Sequence, residues 1–239
     1  MNKFLRATFS LKWTCNICGK EIFNDSYYCD DCKSKLKPIT TIKCDHCGRL
    51  TENPTLFCES CLNKNDNIDL ARSVYSYNET IAKIIHNFKY SSKPHIKDIF
   101  AEELSRLYLN NFLVSDYLTY IPMTKERLNE RGYNQSKLMA EGLSEILNVP
   151  TLELVEKVYE TDRQATLTAS QRKENLKGSF KGKKIDLKGK TVTVIDDVLT
   201  TGVTMDLIAK ELKKMGAEKV YALTVASVGK KIQDINDCL

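Results

Sequence analysis

The chain of 239 residues carries 36 Lys and Arg against 31 Asp and Glu, a net charge of +5, and 42% of its residues are hydrophobic. That length accommodates one domain of ordinary size plus a smaller one, and so mild a charge is compatible with polyanionic partners without requiring them. No stretch approaches the apolar length of a membrane span, and Lys3 and Arg6 are not followed by the apolar run of a secretory signal. A soluble cytoplasmic protein without membrane insertion is therefore expected.

Eight of the nine cysteines form four C-x-x-C pairs before residue 62: Cys15/Cys18, Cys29/Cys32, Cys44/Cys47 and Cys58/Cys61. Each lies 29 residues from its counterpart, CNICGK matches CDHCGR, and Tyr28 matches Phe57, which marks an internal duplication. A C-x-x-C turn places two thiolates on one edge of a tetrahedron, and two such turns complete a Cys₄ zinc site. Units of about 30 residues bury too little to fold alone, so each structural zinc supplies on the order of 10 kcal/mol. The duplication favours two sequential zinc sites, Cys15, Cys18, Cys29 and Cys32 in one, Cys44, Cys47, Cys58 and Cys61 in the other. The alternative is an interleaved cross-brace in which the first and third pairs share an ion. Disulfides would need an oxidising compartment, for which the sequence gives no sign.

Gly19 and Gly48 sit where the backbone must curl so that amide N–H groups point at sulfur. Lys20 and Arg49 follow them, beside assemblies carrying two net negative charges. Trp13, Phe23, Tyr27 and Tyr28 read either as the core of so small a module or as surfaces on which bases stack. His46, between two cysteines, is expected to be exposed, and Cys238 is a lone C-terminal thiol.

Residues 63–70, NKNDNIDL, read as a polar linker, which divides a head over 1–66 from a body over 67–239. The body opens with a short strand over 73–77. Helical patterns follow at 79–90 (Ile81, Ile84, Ile85, Phe88) and 96–112 (Ile99, Phe100, Leu104, Leu107). A strand over 117–121 ends at Pro122, and a loop then carries Lys125, Arg127 and Arg131. Gly132-Tyr133-Asn134 leads into a helix with Leu138, Met139, Leu143, Ile146 and Leu147 on one face. Cations at the C-terminal end of a parallel strand suit anions; a solvated turn of salt-bridged charges is the alternative. Between Arg172 and Lys190 there are eight basic and two acidic residues. Residues 160–184 read either as a solvated basic loop or as a lid over a polyphosphate, mobile without ligand.

The stretch 191–204, TVTVIDDVLTTGVT, carries the most information. Thr191 to Ile195 are β-branched, as suits a strand buried on both faces. Asp196 and Asp197 follow, then Leu199, Thr200, Thr201, Gly202, Val203 and Thr204. From Val203 the period becomes helical through Leu207, Ile208, Leu212 and Met215, and Gly216 stands where a C′ glycine stops a helix. A helix N-terminus offers unpaired N–H groups and a partial positive charge to a phosphate. Two carboxylates cannot share that phosphate, but they suit the 2′ and 3′ hydroxyls of a ribose whose 5′-phosphate fills the loop. An ordinary βα turn with an acidic cap is the plain alternative.

Strand, two acids and a TTG loop together resemble the PRPP-binding motif of type I phosphoribosyltransferases. R-G-Y-N-Q at 131–135 resembles the ERGFNQ-type signature of the ComF family of competence proteins. Thr161, Gln164, Arg172, Asn175, Gly178 and Phe180 are similar to a second ComF pattern, and the tandem zinc ribbons extend the resemblance over nearly the whole chain. It implies an α/β protein, a parallel-sheet type I phosphoribosyltransferase fold preceded by a small double zinc ribbon. It further implies PRPP or ribose 5-phosphate at Asp196, Asp197 and residues 199–204, with Mg²⁺ bridging the pyrophosphate and Lys125, Arg127 or Arg131 stabilising the leaving charge. The family's association is with natural transformation, so single-stranded DNA in the cytoplasm or a competence helicase is the implied partner. Two classes stay open: an active phosphoribosyltransferase of nucleotide salvage, and a binding protein of the uptake machinery. A zinc-ribbon interaction module with a scaffold body is a third, against which the intact acidic pair counts.

Overall fold

The computed structural model describes residues 13–23, 26–62, 67–90, 95–159, 176 and 178–229. Of the lid read at 160–184, residues 160–175 and 177, with Thr161, Gln164, Arg172 and Asn175, lie outside the described residues, as does Cys238. The strands in chain order are β1 (Trp13–Thr14), β2 (Glu21–Ile22), β3 (Leu70–Ser76), β4 (Tyr117–Tyr120), β5 (Val155–Lys157), β6 (Phe180–Gly182), β7 (Thr191–Leu199) and β8 (Lys219–Ser227). The helices are α1 (Asp30–Lys35), α2 (Glu59–Leu62), α3 (Glu79–Tyr90), α4 (Ile96–Asn110), α5 (Lys125–Arg131), α6 (Gln135–Leu147) and α7 (Val203–Lys214).

β3, β8, β7 and β4 form, in that order, an all-parallel sheet, with Tyr120 opposite Ile195 and Ile195 opposite Leu223. Both faces are covered, as a parallel sheet requires. Ile195, Leu223 and Val225 pack with Phe88, Phe100, Leu104 and Met139 on the α3, α4 and α6 side. Val192, Val194, Val220 and Ala222 pack with Met205, Ile208 and Leu212 of α7 on the other. Because the strands are parallel, their C-terminal ends line one edge, where Ile121, Leu199 and Val228 begin the loops.

Several sequence readings shift by a few residues. β3 starts at Leu70, inside the segment read as linker, because Ala71, Ser73 and Tyr75 alternate inward. Asp69 anchors the start, its Oδ2 accepting from the amide of Val220 at 2.7 Å. The cations Lys125, Arg127 and Arg131 lie on a helix rather than a loop. Thr124 caps α5 by accepting from the Arg127 amide at 3.4 Å, and Gly132, at φ +82°, ends it. Of the expected α6 face, Met139 and Leu143 are buried while Ile146 is 48% exposed. Of the segment read as a lid, Phe180–Gly182 is a strand: β6 pairs antiparallel with β5.

β3 is an edge strand, yet its outer side is covered by the head. The amide of Ala71 donates to the His46 carbonyl at 2.8 Å, Ile39 donates to Val74 at 2.9 Å, and Ser76 donates to Lys37 at 2.8 Å. The second knuckle thus covers one half of the edge and the inter-ribbon connection covers the other. At Gly48, φ +68°, an added Cβ would lie 2.6 Å from the Ala71 carbonyl oxygen. Only glycine permits that approach.

The first ribbon docks elsewhere. The Tyr27 hydroxyl donates to Glu102 at 2.9 Å, His95 Nε2 lies 2.8 Å from Asn16 Oδ1, and Asn87 donates to the Asn16 carbonyl at 3.2 Å. Tyr28 is buried and its hydroxyl reaches Glu103, which also accepts from Tyr75 at 2.7 Å. Burial raises the Glu103 carboxyl to about 7 against the opposing pull of these hydroxyls and of Arg106.

Candidate functional site

The eight head cysteines gather into two groups, Cys15, Cys18, Cys29, Cys32 and Cys44, Cys47, Cys58, Cys61, each with its sulfurs within 4.8 Å of one another. The sets are sequential rather than interleaved. A tetrahedron with zinc–sulfur bonds near 2.3 Å has edges of about 3.8 Å. The sulfurs match: Cys18–Cys29 is 3.8 Å, Cys47–Cys58 is 3.7 Å and Cys44–Cys61 is 4.0 Å. The Cys58 amide also donates to Cys44 Sγ at 3.2 Å, the N–H to sulfur contact that fixes such knuckles. Both groups therefore fit a structural zinc. Around them Tyr28 is core and Tyr27 half-buried, while Phe23 is 85% and Phe57 50% exposed. His46, expected at the surface, is half-buried with its ring 5.2 Å from that of Phe57.

At the C-terminal edge of the sheet, β7 runs through Asp196 and Asp197 to Leu199, so the acidic pair belongs to the strand end rather than to the loop. In a strand, successive side chains diverge, which gives the two carboxylates different partners. Asp196 accepts from the Ser136 hydroxyl at 2.9 Å, and Asp197 meets Lys89 at 2.5 Å. Burial and the neighbouring Asp197 charge hold the Asp196 carboxyl above the ordinary carboxylate range, against the pull of Ser136 and Lys89. Burial opposes the charge on Lys89, but Asp197 more than compensates and raises its pKa.

Beyond Leu199, Thr200 is exposed, Thr201 and Gly202 are half-buried, and Gly202 turns the chain at φ +81° into α7. The first amides of α7 have few internal partners: Val203 donates to Thr201 Oγ1 at 3.5 Å. The Asp206 amide returns to the Gly202 carbonyl at 2.9 Å and starts the helical ladder. The turn thus leads directly into the N-terminus of α7, with Thr204 on its first turn.

The R-G-Y-N-Q segment connects the cations to the acids. Tyr133 donates to the Phe88 carbonyl, Asn134 caps α6 through Lys137 and donates to the Ile121 carbonyl at 2.9 Å, and Gln135 accepts from Arg131 at 2.9 Å. Arg131 also donates to the Tyr90 hydroxyl at 3.0 Å and lies 5.0 Å from that ring's centroid. Lys125 is exposed and Arg127 half-exposed on α5. The structure thus brings Asp196, Asp197, Arg131 and the loop to one edge of the sheet. It adds Lys89, Ser136 and Gln135, which the sequence reading passed over. Lys89 had no local signal, since a lysine in the last turn of a helix is ordinary; Gln135 closes the R-G-Y-N-Q motif already singled out, without a role assigned there, and Ser136 follows it.

A doubly covered parallel sheet ending in an acidic pair and a phosphate-type turn, headed by two Cys₄ knuckles, defines a phosphoribosyltransferase fold preceded by a double zinc ribbon. Comparison with known proteins agrees: residues 134–238 match the phosphoribosyl transferase domain family, and residues 6–62 the double zinc ribbon domain family. Competence protein F of Haemophilus influenzae is 31% identical over 161 residues, which cover 63% of this chain and 69% of that protein. Competence protein ComFC of Bacillus subtilis is 31% identical over 211 residues, 84% of each chain. DNA utilization protein YhgH of Escherichia coli is 33% identical over 158 residues, covering 62% of this chain and 67% of that protein. The chain belongs to the ComF family of competence proteins. Among the described residues no helix is long and apolar enough to cross a membrane.

Proposed function

We propose that the sheet edge binds PRPP or ribose 5-phosphate with Mg²⁺, in a cytoplasmic protein that handles imported single-stranded DNA during natural transformation. The observation that carries this reading is the acidic pair at the end of β7, followed within a short turn by the N-terminus of α7. A 5′-phosphate at residues 199–204 meets the α7 amides and the hydroxyls of Thr200, Thr201 and Thr204. The ribose hydroxyls then donate to Asp196 and Asp197. In the free protein Lys89 balances Asp197 and Ser136 serves Asp196, so the carboxylates are held in place before a sugar arrives.

A divalent cation would supply charge neutralisation for a pyrophosphate group while keeping most of its waters. Arg131, with its guanidinium held by Gln135 and Tyr90, and Lys125 and Arg127 on the same short helix suit the pyrophosphate end. If the protein is a pentosyltransferase, these three cations stabilise the departing charge. The role in DNA handling is supported by the names of the relatives and by Phe23 and Phe57, which are exposed on the head and suit base stacking. The head over 1–66 and the body over 67–239 then share the work.

Calorimetry with PRPP and Mg²⁺ tests the site. Asp196→Asn with Asp197→Asn abolishes binding while the chain stays folded, at a lower melting temperature because Lys89 loses its partner; unchanged affinity would show that the acidic pair is no ribose clamp. Deleting the gene lowers transformation while DNA still reaches the cell surface. Normal transformation would instead favour a salvage phosphoribosyltransferase, detected by pyrophosphate release with candidate acceptors.

A further inference from the structure

The second ribbon and the phosphate turn meet at one side chain. Arg49 follows the second knuckle, is more than nine-tenths buried, and donates through Nη2 to the Thr200 carbonyl at 2.5 Å. Its backbone is fixed from the other side, because the Arg49 carbonyl accepts from the Cys44 amide at 2.9 Å. The side chain lines a small cavity with His46, Ile68, Thr201 and Gly202, and its Nε–H is buried without a partner. The neighbouring cysteine group attracts a cation here, but burying a guanidinium with an unsatisfied N–H works against that attraction. Lys20, at the equivalent place in the first ribbon, is exposed.

We propose that Arg49 is a positioning residue through which the second zinc ribbon sets the phosphate-binding turn. In a trans peptide the carbonyl and the following N–H point in opposite directions. Arg49 therefore fixes the Thr200–Thr201 peptide with its carbonyl toward the ribbon and its N–H directed away from it. A flip of that peptide would present a carbonyl oxygen to the phosphate and repel it. The ribbon thereby acts at the ribose-phosphate site without touching the sugar. This inference rests on the ribose-phosphate reading above.

The test compares full-length wild type with Arg49→Ala, Arg49→Lys and, as the equivalent position in the first ribbon, Lys20→Ala. Three quantities are read: zinc per chain, amide hydrogen exchange without ligand, and affinity for ribose 5-phosphate. In Arg49→Ala the amides of residues 200–204 exchange faster while those of Lys125–Arg131 do not, and zinc content is unchanged. Affinity for ribose 5-phosphate falls about tenfold or more, the loss expected for one charge-assisted hydrogen bond. Arg49→Lys, with charge but no fork, lies between, and Lys20→Ala matches wild type. Unchanged loop exchange in Arg49→Ala overturns the proposal. Loss of zinc in both Arg49 variants also overturns it, by making Arg49 a folding residue of the ribbon. Failure of wild type to bind ribose 5-phosphate removes the ribose-phosphate reading instead, and the exchange data still decide whether Arg49 holds the turn.

Discussion

The two zinc ribbons descend from one repeated unit and are held in opposite ways. The first merges with the body's hydrophobic core: Cys15, Ile22, Tyr28, Cys29 and Cys32 form one cluster with Phe88, Phe100 and Leu104. The second has a buried cluster of its own made of Cys44, Cys47 and Cys61, and Phe57, the counterpart of Tyr28, stays half in solvent. It is attached to β3 by the backbone hydrogen bond from Ala71 to His46 and by Arg72 donating to the Asp45 carbonyl at 2.7 Å, and to the turn by Arg49. Gly19 has nothing within 4 Å of an added Cβ, whereas Gly48 abuts the β3 backbone. Duplication supplied two copies of a metal knuckle; the neighbours decided that one became part of a core and the other a clamp.

The comparison breaks most visibly on metal removal. Chelation costs on the order of 10 kcal/mol per site, and the second ribbon, whose buried cluster among the described residues is made of its cysteines, loses all structure. The first keeps the contact of Tyr28 with α4, so exchange protection around Tyr27–Cys29 outlasts that around Cys44–Arg49. Equal loss of protection in both would erase the distinction. Gly48→Ala comes next. Both knuckle glycines have positive φ, so alanine costs about 1–2 kcal/mol at either. At Gly48 the clash with β3 adds about 1–3 kcal/mol more, and denaturant midpoints of Gly19→Ala and Gly48→Ala should separate accordingly.

A pH titration sharpens the contrast further. Glu103 binds its proton more tightly in the folded chain, where its pKa is about 7, than unfolded, where it is near 4.3. The folded state therefore holds the extra proton, and stability falls as pH rises from the lower value through the higher. The full effect is on the order of 3 kcal/mol. Asp196, raised for the same reason of burial, adds in the same direction, so Glu103→Gln removes only part of the slope. The change should loosen the first ribbon and leave the backbone-held second one alone. Tyr28→Phe is smallest, about 1 kcal/mol by thermal unfolding, because a 3.5 Å hydroxyl contact is weak and the ring still fills its place.

What the sequence made legible follows from the kind of signal involved. The zinc groups and their pairing were readable because ligand spacing is local and the 29-residue repeat is unambiguous. The strand, acids and turn at 191–204 were readable because the change of period from two to 3.6 falls within one short stretch. Lys89 was not, since its partner Asp197 lies far along the chain and no local pattern joins them. Arg49 was visible only as a cation beside a metal site; its contact with Thr200 spans 151 residues. The helix at Lys125–Arg131 was missed although its cap, Thr124, and its stop, Gly132, were both in view, because the density of charge suggested a loop.

The covering of β3 has a consequence for how the chain is made. β3 pairs in the sheet with β8, Leu70 opposite Tyr221, so its inner neighbour lies far downstream and is synthesised long after it. Its outer neighbours, Lys37, Ile39 and His46, are synthesised before it. Contacts of short sequence separation form early, and a metal-loaded knuckle needs no other part of the chain. The nascent strand therefore finds a template on its outer side long before the sheet exists. During that interval an unprotected β-strand would be exposed to pairing with other nascent chains. The head thus serves the body as an internal escort, and a body translated without it would meet its first partners in other molecules.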